Sequence, residues 1–247
     1  MFVEYVIAVL FFFVALIYSS VGLGGGSSYT AIMAIFDVNY VLIPTTSLML
    51  NATVTSLGAA NFWRGGHVNW RLIAPFLASS IPMAYLGGSI ALSKQAFYIL
   101  LLFTLITLAV RIYFFDSLRI SLKLEGAQKI VFSIVLGGAL GFIAGTVGIG
   151  GGIYLAPLVV TFNLGTEKEA AATGSIFIWV NSLAGLFSRM QRGAFSMELV
   201  LPLVAAVVVG GFLGSYMGSF RFAPLTIQKL MGIVIIVAMV FLLRRVI

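Results

Sequence analysis

The most constraining feature of this sequence is a series of apolar blocks, each about 20 residues long and separated by short polar connectors. A helix rises about 1.5 Å per residue, so about 20 residues cross a hydrocarbon core roughly 30 Å thick. Only 9% of the 247 residues are charged, against about 25% in a soluble domain. The blocks lack the alternating hydrophobicity of membrane β-strands. The pattern predicts an all-α polytopic membrane protein.

Eight blocks are long enough to cross a bilayer. We predict them at Phe2–Ser20, Ile43–Phe62, Arg71–Leu92, Gln95–Phe115, Gln128–Val147, Glu169–Phe187, Glu198–Ser219 and Leu225–Leu243. Two shorter blocks, Ser27–Phe36 and Ile153–Asn163, reach only about half-way at about 1.5 Å per residue, which predicts half-helices. No Lys or Arg precedes the first block, so we interpret it as a span and not as a cleaved signal peptide.

A glycine-rich string occurs twice, each time directly before a half-helix. Val21–Gly26 reads Val-Gly-Leu-Gly-Gly-Gly, and Val147–Gly152 reads Val-Gly-Ile-Gly-Gly-Gly, 126 residues later. Five of the six positions are identical, and the sixth is a Leu/Ile exchange. The match continues beyond the strings, since Arg64-Gly65 recurs as Arg192-Gly193 after 128 residues. We therefore predict an internal duplication.

The most polar connector divides the chain near its middle. We predict a first transmembrane repeat over residues 1–115, a connector over 116–127 and a second repeat over 128–247. Each repeat holds four long helices and one half-helix. If each half-helix counts as a crossing, each repeat crosses the membrane five times and the second repeat is inverted. With four crossings the repeats are parallel, so parallel repeats stay open. The nearly balanced charge of the loops favours inverted repeats.

The glycine strings predict breaks in the helices. Each glycine costs about 1 kcal/mol relative to alanine in a helix and adopts positive φ freely, so the backbone unwinds there. In lipid, irregular backbone survives only where it is buried in protein or lines a polar cavity. The N-terminus of each following half-helix adds unpaired N–H groups and about half a positive charge, which suits an anion. Two converging ends predict an anion site near mid-membrane.

Three other interpretations of the glycines compete. A dinucleotide fingerprint needs a preceding strand and a carboxylate about 20 residues on, and the chain offers neither. Close helix packing explains small residues at four-residue spacing, as in the ridges Gly137-Gly141-Gly145 and Gly210-Gly214-Gly218. It does not require three adjacent glycines. A hinge is compatible with both packing and binding.

Hydroxyl and amide side chains follow each half-helix. Ser47 and Asn51, four residues apart, share a helical face. Interhelical hydrogen bonding and anion binding use the same groups, so both stay open. The candidate substrate-binding residues are Gly22, Gly24, Gly25, Gly26, Ser27, Thr46, Ser47, Asn51, Gly148, Gly150, Gly151, Gly152, Thr173, Ser175 and Asn181.

The basic residues give the chain a net charge of +7. Nearly all lie in the predicted connectors, where they meet phospholipid headgroups, so nucleic-acid binding is not implied. Arg189 is among them, because its span is predicted to end at Phe187. Arg64 and Arg192 form the aligned basic pair and are candidates either for a vestibule or for headgroup contact.

The remaining chemistry argues against an enzyme. The chain has no cysteine, one histidine and no Asp or Glu in the middle of a long span. We therefore predict no catalytic residue, no metal site and no cofactor. The expected partners are a small anionic substrate and the lipid bilayer, and homo-oligomerisation stays open.

Taken together, the two Gly-x-Gly-Gly-Gly runs, Pro157 after the second run and Thr173-Gly174-Ser175 resemble the TauE/SafE sulfite exporter family, also called the four-toluene-sulfonate uptake permease family. The resemblance covers essentially the whole chain. It implies a secondary transporter of small sulfur-containing anions, such as sulfite or organosulfonates, in the bacterial or archaeal inner membrane. An anion channel with the same glycine-lined filter and a non-transporting scaffold are the alternatives.

The first half departs from the family pattern. Ala31 stands where the second half has Pro157, and Pro44-Thr45-Thr46-Ser47 replaces Thr173-Gly174-Ser175. Members that resemble thiosulfate importers are expected to use cysteines in the pore. Because this chain has none, the resemblance disfavours thiosulfate uptake by thiol relay.

Overall fold

The computed structural model describes residues 2–20, 23–114, 126–193, 195–218, 232–233 and 235–243, and these contain helices and no strand. The helices are α1 Phe2–Ser19, α2 Gly26–Ile35, α3 Ile43–Arg64, α4 Trp70–Ser89, α5 Lys94–Phe114, α6 Ala127–Val147, α7 Gly152–Thr161, α8 Glu167–Met190 and α9 Met197–Gly218. Residues 232–233 and 235–243 are also helical. The predicted all-α class is confirmed.

The predicted long spans coincide with α1, α3, α4, α5, α6, α8 and α9, with ends that shift by up to three residues. Part of the last predicted span, residues 225–231 and 234, lies outside the described residues. By length and hydropathy, five described helices can cross a membrane, namely α4, α5, α6, α8 and α9. α3 has 22 residues but is not one of the five. Its Thr, Ser and Asn residues lower its hydropathy.

Both predicted half-helices are present. α2 and α7 have 10 residues each, which at about 1.5 Å per residue is half the thickness of a hydrocarbon core. Residues Gly26–Ala34 of α2 are all buried, so protein surrounds this helix on every side. A short helix in the interior keeps its ends away from lipid, which their unpaired backbone groups require.

The turns that follow the two short helices have the same geometry. Asp37 after α2 has φ 57° and Asn163 after α7 has φ 51°, and they are the non-glycine residues with positive φ in the described part of the chain. In each turn the next residue donates its N–H to the carbonyl five residues earlier, at 3.0 Å and 2.9 Å. Asn and Asp tolerate this left-handed backbone better than most residues. The two positions are 126 residues apart.

A glycine ridge brings α6 against α4. A Cβ atom on Gly137 would lie 2.6 Å from the carbonyl oxygen of Phe76, and Gly141 and Gly145 make equivalent approaches to Ser80 and Ala84. Four-residue spacing on both helices lets the two backbones touch along their length. The packing interpretation of this ridge therefore agrees with the structure.

A second ridge brings α9 against α1. Gly210 faces the backbone of Phe12, and Gly214 faces the backbone of Leu16. No side chain larger than hydrogen fits between these backbones. The predicted third member, Gly218, is helical, but its surroundings lie outside the described residues.

α3 and α8 occupy the centre of the described helices. They pack against each other, α2 packs on α3, α7 packs on α8, and α4 and α9 pack on α8 and α3 respectively. The polar residues that lower the hydropathy of α3 are buried in this centre. The polar faces of the two central helices therefore meet the short helices and not lipid.

Candidate functional site

The two glycine strings meet on one face of α3. We call residues 23–26 the first break and residues 148–151 the second break. The Ser47 hydroxyl lies 2.7 Å from the carbonyl oxygen of Gly148 and 3.2 Å from that of Gly26. One turn further along α3, the Asn51 amide nitrogen donates to the Ile149 carbonyl oxygen at 3.2 Å. Both side chains are fully buried. α3 therefore bridges the two breaks.

The first break requires glycine because other groups approach its backbone closely. A Cβ atom on Gly25 would lie 2.5 Å from the Tyr29 ring, and one on Gly24 would overlap the Asn51 side chain. One on Gly26 would lie 2.5 Å from the Ile149 carbonyl oxygen. None of these three glycines has positive φ, but the predicted break is present, because residues 23–25 are not helical and α2 begins at Gly26. Gly22 lies outside the described residues.

The second break requires glycine because of its backbone conformation. Gly148, Gly150 and Gly151 have φ of 85°, 82° and 72°, where L side chains are strained, and the predicted break lies here between α6 and α7. Gly148 is the C-cap of α6 and Gly151 is the N-cap of α7. The chain therefore ends one helix and begins another within four residues. Close approach adds to the constraint, since Gly148 packs on the backbone of Pro44.

The breaks expose the N-termini of both short helices. The N-caps are Gly25 for α2 and Gly151 for α7, and neither has a side chain that caps the helix. The first-turn N–H groups of a helix have no acceptor within it. In the second break the Gly152 N–H turns back to the Gly150 carbonyl at 2.9 Å. Both helix ends carry partial positive charge at the centre of the protein.

A buried tyrosine joins the candidate Ser27 to the end of α1. The Tyr18 hydroxyl lies 3.2 Å from the Ser27 hydroxyl and 2.8 Å from the Ser28 hydroxyl, and all three residues are buried. The candidate Thr46 is buried beside Ser47 at the start of α3. Tyr18 is not among the candidates from sequence, because a lone tyrosine near a span end reads as an interfacial anchor.

The hydroxyl and amide candidates of the second half lie on α8. Thr173, Ser175 and Asn181 are buried, and Ser175 faces α3 next to Gly58. The Asn181 amide nitrogen donates to the carbonyl oxygen of Phe177 in its own helix at 2.8 Å. Gly152 at the start of α7 packs on the carbonyl of Gly174. α8 therefore contacts the second break next to its candidates.

Three buried oxygen atoms at the breaks have no hydrogen-bond partner among the described residues. They are the Asn51 side-chain oxygen, which faces Gly24, the Tyr29 hydroxyl, which faces Gly25, and the Ser182 hydroxyl. The Ser182 hydroxyl lies 3.3 Å from where a Cβ atom on Gly150 would be. Unpartnered polar atoms in a protein interior are costly and mark sites of binding or ordered water. Polar side-chain atoms therefore face both the first break and the second break where the two meet.

The aligned basic pair lies away from the breaks. Arg64 is exposed at the end of α3. Arg192 is exposed beyond α8 and donates from Nη1 to the Ser89 carbonyl oxygen at 3.1 Å, at the end of α4. Neither side chain touches a glycine of the breaks in the described structure.

Arg189 is buried, which contradicts its expected position in a connector. α8 continues to Met190, so Arg189 lies in its last turn with 4% of its surface exposed. Its guanidinium donates to the carbonyl oxygens of Gly145 and Thr146, at the C-terminal end of α6. The predicted span ends too early, at Phe187, because a charged residue near the end of a span favours a headgroup contact.

Helical spacing is the sequence signal that points to Arg189. Ile178, Ser182, Gly185 and Arg189 are separated by four, three and four residues and so share one face of α8. Ile178 and Ser182 face the second break, and Gly185 touches the backbone of α6 at Gly145. One face of α8 therefore contacts the second break through Ser182 and the end of α6 through Arg189.

Comparison with known proteins identifies the family. The family model "Sulfite exporter TauE/SafE" matches residues 7–242. The chain belongs to the TauE/SafE sulfite exporter family. Like its family, it is an integral membrane transporter, and the family is not an enzyme class. No solved structure matches the chain.

Two relatives of this TauE/SafE protein align over nearly their full lengths. "Probable membrane transporter protein y4hK" of Sinorhizobium fredii is 31% identical over 235 residues, which cover 94% of this chain and 95% of the relative. "Probable membrane transporter protein YjnA" of Bacillus subtilis is 25% identical over 243 residues, which cover 92% and 94%. The family relationship therefore includes both breaks.

Proposed function

We propose that this TauE/SafE protein is a secondary transporter that carries small sulfur-containing anions, sulfite or organosulfonates, across the bacterial inner membrane. The family membership supports transport of this class of anion. The anion binds where the two breaks meet, between the N-termini of α2 and α7. The chain is multi-pass, and its long apolar helices hold this site away from both aqueous phases.

The observation that carries the proposal is the bridge made by Ser47. One hydroxyl group lies within 3.2 Å of carbonyl oxygens from both breaks, Gly26 and Gly148. Gly26 is the first residue of α2, and α7 begins four residues after Gly148, so the positive ends of both short helices lie near the same face of α3. An anion between them gains hydrogen bonds from both halves of the chain.

Movement of the anion requires that access alternates between the two sides. We propose that the halves, residues 1–115 and 128–247 joined by the connector 116–127, are inverted repeats that rock against each other. Three features support this. The turns after α2 and α7 have the same geometry. The packing of α1 on α9 corresponds to the packing of α6 on α4. The packing of α2 on α3 corresponds to the packing of α7 on α8.

Glycine suits such a site for a second reason. Carriers need backbone that yields as one repeat turns against the other, and hinge positions absorb changes in φ and ψ. Gly150 and Gly151 in the second break have left-handed backbone, while Gly24 and Gly25, which align with them, do not. The two breaks therefore differ in backbone conformation although their sequences are nearly identical. Two repeats at opposite stages of the rocking motion would differ in backbone conformation in this way.

The test is uptake of labelled sulfite and sulfoacetate into proteoliposomes. The parent protein accumulates the anion, and Gly25→Leu combined with Gly151→Leu abolishes uptake, because both side chains fill the breaks. The control is Gly138→Ala on α6, where the nearest atoms lie 3.7 Å from the new Cβ and uptake is retained. Unfolding temperatures in detergent verify that each variant is folded.

Binding is measured separately by thermal shift. A ligand that binds only the folded protein stabilises it in proportion to RT ln(1 + [L]/Kd), so sulfite and sulfoacetate raise the unfolding temperature and a carboxylate of equal size does so less. Uptake by the double glycine variant at the rate of the parent refutes the site. Ion currents far above carrier turnover identify a channel instead.

A further inference from the structure

Arg189 is a buried cation next to the second break. Its Nε and Nη2 atoms lie 3.2 Å and 2.9 Å from the Gly145 carbonyl oxygen, and Nη2 lies 2.6 Å from that of Thr146. In the described part of the chain these bonds end on carbonyl groups and not on a carboxylate. The Nη1 amino group donates to no described residue. Arginine stays protonated in proteins even when burial disfavours its charge, so Arg189, which is 4% exposed, is a positive charge inside the protein.

The carbonyl groups that Arg189 contacts belong to the C-terminal end of a helix. α6 ends at Val147, and α7 begins five residues later at Gly152. The C-terminus of a helix carries about half a negative charge and the N-terminus about half a positive charge. At the second break only four residues separate the two ends, so their opposite charges partly cancel. A positive charge on the last turn of α6 removes this cancellation.

We propose that Arg189 is the charge-selecting residue of the carrier. It offsets the negative end of α6, makes the second break net positive, and so favours anions of higher charge over monoanions. This proposal rests on the proposed function and adds to it the class of substrate, since a dianion gains twice the Coulomb energy that a monoanion gains.

The distance is suited to this effect. Arg189 and Ser182 are seven residues apart on one face of α8, which at 1.5 Å per residue separates them by about 10 Å. The intervening Gly185 packs on α6 and leaves no room for solvent between the helices. Charges about 10 Å apart in an effective dielectric of about 20 change binding on the order of tenfold for a monoanion and a hundredfold for a dianion.

Arg192 provides a matched comparison within the same chain. It follows Arg189 by three residues and carries the same charge, but it is exposed and donates to the end of α4. Water and salt screen an exposed charge, whereas they screen a buried one much less. The two arginines thus separate the effect of a buried charge from that of surface charge.

The experiment measures dissociation constants of methanesulfonate, a monoanion, and sulfoacetate, a dianion at neutral pH, for the parent, Arg189→Gln and Arg192→Gln. We expect Arg189→Gln to weaken methanesulfonate on the order of tenfold and sulfoacetate on the order of a hundredfold. Arg192→Gln changes both by less than about threefold. Arg189→Lys keeps the positive charge but lacks the planar guanidinium group, and we expect it to retain the preference for the dianion.

Two results overturn the proposal. If Arg189→Gln weakens both anions equally, Arg189 only caps α6. If Arg192→Gln lowers the dianion preference as much, surface charge is responsible. If Arg189→Gln does not fold, the same two dissociation constants are measured for the parent in roughly 0.5 M sodium gluconate. At that salt concentration the Debye length is about 4 Å, so surface charges are screened. A dianion preference that persists supports the buried charge, and one that disappears refutes it. Failure of the parent to bind either anion refutes the proposed function itself.

Discussion

Gly26 in the first turn of α2 lies against the backbone of Ile149 in the second break, so close that a Cβ atom on Gly26 would be 2.5 Å from the Ile149 carbonyl oxygen. The two residues are 123 positions apart in sequence. Their contact joins the two halves of the chain at the point where both helices are interrupted. The first break is therefore shaped by the second break and not only by its own backbone.

The first prediction concerns this contact. Gly26→Ala places a methyl group against Ile149 and the Asn51 amide, and overpacking of this kind costs about 1–3 kcal/mol. We expect a lower unfolding temperature and loss of most sulfite uptake. Gly138→Ala, with its nearest atoms at 3.7 Å, is the control and keeps both. Full uptake by Gly26→Ala would mean that the contact is not needed for transport.

The second prediction concerns Ser47. Ser47→Ala removes the hydroxyl that bonds to Gly148 and leaves a buried carbonyl oxygen unpaired, at about 1–3 kcal/mol. We expect reduced thermal stability and slower anion uptake. The matched control is Ser56→Ala on the same helix, because in the described residues the Ser56 hydroxyl donates to the Thr53 carbonyl oxygen of its own helix, at 2.8 Å, and to no other helix. Equal effects of the two substitutions would contradict a bridging role for Ser47.

The third prediction separates backbone strain from crowding in the second break. Gly151 and Gly193 have φ of 72° and 69°, so alanine at either costs roughly 1–2 kcal/mol for the left-handed conformation. Only Gly151 is crowded, since its Cβ would lie 3.0 Å from the Phe177 ring, whereas Gly193 has nothing within 4 Å. We expect Gly151→Ala to destabilise more and to abolish uptake. Uptake rates and unfolding temperatures that match for the two variants would refute this.

The fourth prediction concerns Tyr18. Tyr18→Phe removes the hydroxyl shared by Ser27 and Ser28, and loss of a buried hydrogen bond costs about 1 kcal/mol. We expect a lower unfolding temperature and a higher KM for the anion, because Ser27 belongs to the proposed site. Tyr98→Phe, on α5 and also buried, is the control. An unchanged KM together with reduced stability would limit Tyr18 to a structural role.

The fifth prediction concerns the orientation of the repeats. Gly66 and Gly193 follow α3 and α8, are exposed and have nothing within 4 Å, so a cysteine side chain has space at both. The left-handed backbone, with φ of 70° and 69°, costs each variant the same roughly 1–2 kcal/mol. The parent has no cysteine, which leaves the background clean. We expect a membrane-impermeant maleimide to label Gly66→Cys and Gly193→Cys from opposite sides. Labelling from the same side would refute inverted repeats.

Much of the helical framework was predictable from local pattern. The blocks of about 20 apolar residues form helices because that length crosses the bilayer. Lipid offers no hydrogen-bond partners, so the backbone polar groups pair with one another inside each helix. The half-helices were predictable because Gly24–Gly26 and Gly150–Gly152 interrupt apolar runs. Arg189 was misassigned because charge suggested a headgroup contact, although its spacing from Ser182 placed it on the buried face of α8.

The helical class, the two nearly identical glycine strings before short helices and the TauE/SafE family all follow from the amino-acid sequence. The packing of the helices shows that the strings meet on Ser47 and that they need glycine for different reasons. Backbone propensity is local, so it predicts a break wherever glycines cluster. Close approach between residues such as Gly26 and Ile149 depends on how distant helices pack, which no local pattern contains.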